Sequence, residues 1–122
     1  DWACLCSGLT DVPVYPTLPA EQIVHPLNDS GAVALFVSSA DQAAKAAQVR
    51  SQLKTVRTII SFVEPKPAGA DLTIAELEAK GGAIDTAERA AQFKATALSV
   101  SPNDLATLIY TSGTTGLPKG VM

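Results

Sequence analysis

The residues best suited to chemistry lie in one run: Tyr110, Thr111, Ser112, Gly113, Thr114, Thr115, Gly116, Leu117, Pro118, Lys119, Gly120 and Val121. Glycines let backbone N–H groups approach an anion without a side chain in the way. Hydroxyls add donors, and lysine adds a mobile positive charge. Such a run is built for a polyanion such as a chain of phosphates. Its spacing is not that of a Walker A loop, which sets Gly-Lys-Ser/Thr four residues after its first glycine; here Gly113, Gly116 and Lys119 are spaced by three. Nor is it the G-x-G-x-x-G of a dinucleotide fold.

A loop of this kind must be presented by rigid elements. Residues 104–110 read as a buried strand running straight into it, and upstream short β-like runs alternate with Ala-rich helical stretches. That alternation predicts an α/β fold, a mostly parallel sheet with crossover helices. Residues 12–15 predict a short edge strand punctuated by Pro13 and Pro16. Residues 21–28 predict a helix with Ile23, Val24 and Leu27 on one side, which Pro26 should shorten or kink. Residues 33–37 predict a buried strand. Residues 41–53 predict a helix whose apolar face is Ala43, Ala44, Ala47 and Leu53, with Asp41 at its positive end and Lys54 at its negative end. Residues 56–63, rich in β-branched side chains, predict a third strand, closed by the extended, Pro-rich residues 64–67.

Residues 72–82 carry the best local grammar. Thr73 and Glu76 predict a capping box, Leu72 and Leu77 a hydrophobic staple, and Gly81 a left-handed end. Asp85 with Glu88 predicts the start of another helix, running to about Ala97. Arg50, Lys54 and Arg57 resemble an anion-binding stripe, but a solvated helix face is the simpler reading.

Composition narrows the function classes. Nine Lys+Arg against twelve Asp+Glu, a net charge of -3 and 5% aromatics argue against nucleic-acid binding. A chain of 122 residues suits one domain or part of one and could bury roughly two-thirds of its unfolded surface. Its apolar runs fall short of the roughly 18 residues of a membrane span, so no transmembrane segment is expected. Cys4, Cys6 and the single histidine, His25, cannot assemble a zinc site, so no metal is assigned to them. The cysteines read as small apolar side chains in a reducing cytoplasm. His25 has no Ser, Cys or carboxylate partner obvious in sequence.

The spacing Thr-Ser-Gly-Thr-Thr-Gly-x-Pro-Lys-Gly resembles the phosphate loop of the adenylate-forming superfamily, which includes acyl-CoA synthetases, peptide-synthetase adenylation domains and luciferases. Upstream, Val12-Pro-Val-Tyr-Pro-Thr17, Ala20-Glu-Gln-Ile23, Leu27-Asn-Asp-Ser-Gly31 and the strand that follows are similar to the N-terminal domain of AMP-forming long-chain acyl-CoA synthetases. Trp2-Ala3 and Gly8 resemble the end of the preceding helix. Pro19 stands where a Ser N-cap is usual, and His25-Pro26 replaces an aromatic-aliphatic pair.

The resemblance implies an enzyme that joins a carboxylate to ATP, releasing pyrophosphate, and then transfers the acyl group from AMP to coenzyme A. The implied partners are a small-molecule carboxylate, ATP and CoA, with Mg2+ held mainly outside this segment. Phosphate binding would fall to Thr111, Ser112, Gly113, Thr114, Thr115, Gly116 and Lys119, with Pro118 shaping the turn that presents Lys119. The catalytic residues, and most of the acyl pocket, would lie beyond Met122. Residues 1–122 would then be a partial AMP-binding N-terminal domain, truncated at both ends and inactive by itself. A long-chain fatty acid is the favoured substrate, from the Tyr15-Pro16-Thr17 region and the Ile109-Tyr110 lead-in. An adenylation domain loading an amino or aryl acid onto a carrier protein, and a non-catalytic α/β module, are the alternatives. A cytoplasmic location is expected, with a peripheral position at a membrane left open.

Overall fold

The computed structural model describes residues 2–111 and 116–122. A short helix, α1 (Trp2–Cys6), precedes an irregular segment and then α2 (Ala20–Asp29). Strand β1 (Ala34–Val37), helix α3 (Ala40–Gln48), a 3-10 turn (Arg50–Gln52) and strand β2 (Thr58–Ser61) follow. Strand β3 (Leu72–Thr73) leads into α4 (Ile74–Ala83) and α5 (Ala87–Ser99), and the chain closes with β4 (Ile109–Thr111) and β5 (Lys119–Val121). The α/β architecture read from sequence is thus the observed one.

The first sheet has the order β1-β2-β3 and is parallel throughout, with Leu35 opposite Ile59 and Ser61 opposite Thr73. Helix α3 is the crossover between β1 and β2, as parallel neighbours require. Period-two alternation puts Leu35, Val37 and Ile59 on one face. There Ala43 and Ala46 of α3, both fully buried, meet Val37 and Ile59. Beside them Ala20, Ile23 and Leu27 of α2 pack with Val49, Leu35 and Val56. The opposite face carries Phe36 and Phe62, whose rings pack 5.7 Å apart while 44% and 57% exposed.

Several expectations are corrected. Residues 12–15 form no strand; the contact nearby is a single parallel bridge from Asp11 to Thr107, and prolines at 13 and 16 remove the donors a ladder needs. Pro26 does not shorten α2, which continues to Asp29 and closes with Ser30 N–H donating to the Pro26 carbonyl. Strand β1 is buried on one face only, with Ala34 and Phe36 exposed, because it forms an edge with the other face open. Helix α3 starts at the Ser39 cap, whose hydroxyl accepts from Gln42 N–H, and ends at Gln48. Its buried face is Ala43 and Ala46, not Ala44 and Ala47; a helix with alanine on several sides gives little rotational signal.

The capping box is present in both halves: Thr73 N–H donates to Glu76 at 2.8 Å, and Glu76 N–H donates to Thr73 Oγ1 at 3.2 Å. Gly81 is not a left-handed end, since α4 runs on to Ala83. Thr86, not Asp85, caps α5, accepting from Arg89 N–H. Arg50 pairs with Asp71 at 2.9 Å, so that basic group is engaged within the fold.

Candidate functional site: a hairpin mouth held by one helix

Strands β4 and β5 pair antiparallel, with Ile109 opposite Val121, Tyr110 opposite Gly120 and Thr111 opposite Lys119. The glycine- and threonine-rich segment therefore links the two arms of a hairpin rather than leaving a parallel strand. The 104–110 strand expected from sequence is shortened to Ile109–Thr111. Cross-strand partners share a face, so the Thr111 hydroxyl and the Lys119 ammonium emerge side by side at the mouth of the loop. Both residues are exposed. Ser112, Gly113, Thr114 and Thr115 lie outside the described residues.

Gly116 is exposed with φ +113, a backbone region that side-chain-bearing residues rarely adopt. The chain turns there toward Leu117 and Pro118 before entering β5. Among the described residues, the ion pairs are Arg50–Asp71 and Lys66–Glu76, and neither involves Lys119. Lys119 thus stands as an exposed cation beside the loop.

Alternation along β4 turns Tyr110 the other way, into the protein, where it is 8% exposed. Its hydroxyl donates to Asp29 Oδ2 at 2.7 Å. Burial, then this bond and the Asp29 charge, push the phenol up to about 12. His25, one turn before Asp29 on α2, sits edge-on to Tyr110 with ring centroids 6.0 Å apart. Its Nε2 lies 2.8 Å from the Pro118 carbonyl oxygen, a bond in which the ring N–H donates. His25 thus has a partner after all, a backbone carbonyl 93 positions away, which no local sequence signal reveals.

A cavity of about 560 Å3 lies alongside, lined by Tyr15, Leu18, His25, Tyr110, Leu117 and Pro118 among others. No group of three or more His, Cys, Asp or Glu among the described residues could hold a metal ion.

The model of the AMP-binding enzyme family matches residues 1–122. The chain belongs to this family. It is 38% identical over 120 residues to the long-chain-fatty-acid–CoA ligase FadD15 of Mycobacterium bovis, covering 98% of this chain and 19% of the relative. Tyrocidine synthase 3 of Brevibacillus parabrevis is 39% identical over 118 residues, 97% of this chain and 1% of that protein. Among solved structures, an anthranilate CoA ligase, AuaEII, in complex with anthranoyl-AMP superposes with a TM-score of 0.66. At 21% identity, over 93% of this chain and 20% of that one, it shows a shared fold. The chain spans about a fifth of the length of the ligase it matches. The family is thus adenylate-forming, with acyl-CoA ligases and peptide-synthetase relatives alike. No helix among the described residues is long and apolar enough to cross a membrane.

Proposed function

We propose that this chain is the phosphate-holding segment of an ATP-dependent acyl-CoA synthetase acting on a long-chain fatty acid. A carboxylate oxygen attacks the α-phosphorus of ATP, the bond to the β-phosphate oxygen breaks, and pyrophosphate leaves; the thiol of CoA then displaces AMP from the acyl-adenylate. Thr111, Ser112, Gly113, Thr114, Thr115, Gly116 and Lys119 bind the β- and γ-phosphates and stabilise the charge that collects on the departing pyrophosphate. Bond-making chemistry belongs to residues outside this segment, and Mg2+ is held mainly by them. The observation that carries the reading is the pairing of Thr111 with Lys119, which sets a hydroxyl and a cation at one exposed mouth.

The segment is, on this reading, part of a larger N-terminal domain. Parallel sheets are normally covered on both faces, whereas Phe36 and Phe62 stand open, and no residue of α4 or α5 is buried. The likeness to FadD15 supports the fatty-acid substrate, and the likeness to tyrocidine synthase 3 favours a second reading, an adenylation domain serving a carrier protein.

Carboxylate-dependent exchange of labelled pyrophosphate into ATP by the full-length polypeptide separates them. Exchange stimulated by long-chain fatty acids supports the synthetase. Exchange stimulated only by amino or aryl acids, with the acyl group then passed to a carrier-protein thiol and not to CoA, establishes the adenylation domain in its place.

A further inference from the structure

We infer that His25 and Asp29 form a clamp on α2 that holds both arms of the loop and acts as a positioning device for its phosphate contacts, a reading that rests on the phosphate-binding assignment above. The two residues are four apart, so they lie on the same helix face. Asp29 accepts from the Tyr110 hydroxyl on the arm that enters the loop, at 2.7 Å. His25 donates from Nε2 to the Pro118 carbonyl on the arm that leaves it, at 2.8 Å. Between these bonds the His25 ring stands at 83° to that of Tyr110, edge to face.

The hairpin needs such a device. Each of its strands is three residues long, and an isolated two-stranded hairpin is marginal in water. The separation of Thr111 from Lys119 would drift without a second anchor. Helix α2 supplies one, because Ile23, Pro26 and Leu27 fix it in the core. The Pro118 carbonyl immediately precedes Lys119, so holding that peptide sets the direction in which the Lys119 side chain leaves the backbone. The clamp touches no phosphate itself; it acts through Lys119 and through the width of the mouth.

The test uses pyrophosphate exchange by the full-length polypeptide, with KM measured separately for ATP and for the carboxylate. His25→Phe keeps an aromatic ring beside Tyr110 and removes the donor, His25→Gln restores a donor, and Tyr110→Phe removes the other bond. Losing one such bond is expected to raise the KM for ATP about fivefold, leaving the carboxylate KM unchanged, with His25→Gln recovering most of the loss. A merely structural role would raise both constants together or depress only the amount of folded protein. Unchanged ATP KM in both Phe variants, parallel rises in both constants, or an ATP KM for His25→Gln no lower than for His25→Phe would overturn the clamp. Should His25→Phe not fold, Tyr110→Phe decides by the same two constants. Lys119→Ala is the reference: a rise there with none in the Phe variants removes the clamp alone, whereas no rise in any variant removes the phosphate-binding assignment.

Discussion

Tyr110 and Asp29, 81 positions apart in the chain, are joined by a 2.7 Å hydrogen bond that fastens the strand leading into the glycine- and threonine-rich loop to helix α2. The bond is strongest while the phenol keeps its proton. Since the folded-state value is raised from 10.0 to about 12, the native state holds this proton where the unfolded chain has lost it. The stabilisation is complete below about pH 10 and is lost as pH rises toward 12. An alkaline titration of tyrosinate absorbance is expected to show a late phase near 12 that Tyr110→Phe abolishes.

Asp71 ties the sheet to the crossover. Partial burial pushes its carboxyl up, but the Ile59 N–H, the Arg50 guanidinium and the Lys66 charge together outweigh that and hold it below its ordinary value. Its stabilising effect is therefore present at neutral pH and lost as pH falls through the folded-state value. Ile59 is fully buried, and Asp71 Oδ2 accepts from its N–H at 2.8 Å. Asp71→Ala strands that donor and should cost about 1–3 kcal/mol, read from denaturant unfolding. The exposed pairing with Arg50 contributes less, so Arg50→Ala should be milder.

Thr73 is buried and caps α4 through Glu76 N–H. Thr73→Ala should lower stability by about 1 kcal/mol and speed amide exchange at Glu76, while Thr73→Ser retains the cap. Glu76 answers from its side: the Thr73 N–H, helped by Lys66 and Lys80, outweighs desolvation and holds its carboxyl below the ordinary value. Protection of the first turn of α4 should accordingly fall on acidification.

Gly69 has φ +94, and a Cβ there would sit 2.8 Å from the Ala43 carbonyl oxygen and from Ala47 Cβ. Backbone strain alone costs about 1–3 kcal/mol, and the collision with the helix adds to it. Gly69→Ala should therefore lower the unfolding midpoint more than Gly81→Ala, where a Cβ meets nothing within 4 Å.

These effects also explain what was legible in the sequence. The capping box could be read because its donors and acceptors are three residues apart. The family could be read because the spacing of glycines, hydroxyls and lysine from Thr111 to Gly120 resembles its phosphate loop, and the chain belongs to it. The rotation of α3 was not legible, since Ala43, Ala44, Ala46 and Ala47 spread identical methyl groups over about 160° of the helix, wider than the strip that is buried. The contacts of His25 and Asp29 with the hairpin depend on pairings between segments 93 and 81 positions apart. Periodicity carries no record of those.

The central claim is that Lys119 and the loop beside it hold the phosphates of ATP. Calorimetric titration of Mg-ATP into the full-length polypeptide, wild type and Lys119→Ala, tests it most directly. A charged hydrogen bond of this kind is worth about 1.5–3 kcal/mol, so the variant should bind at least about tenfold more weakly, with fold and unfolding midpoint retained because Lys119 is exposed. Equal affinity in the two proteins would contradict the account.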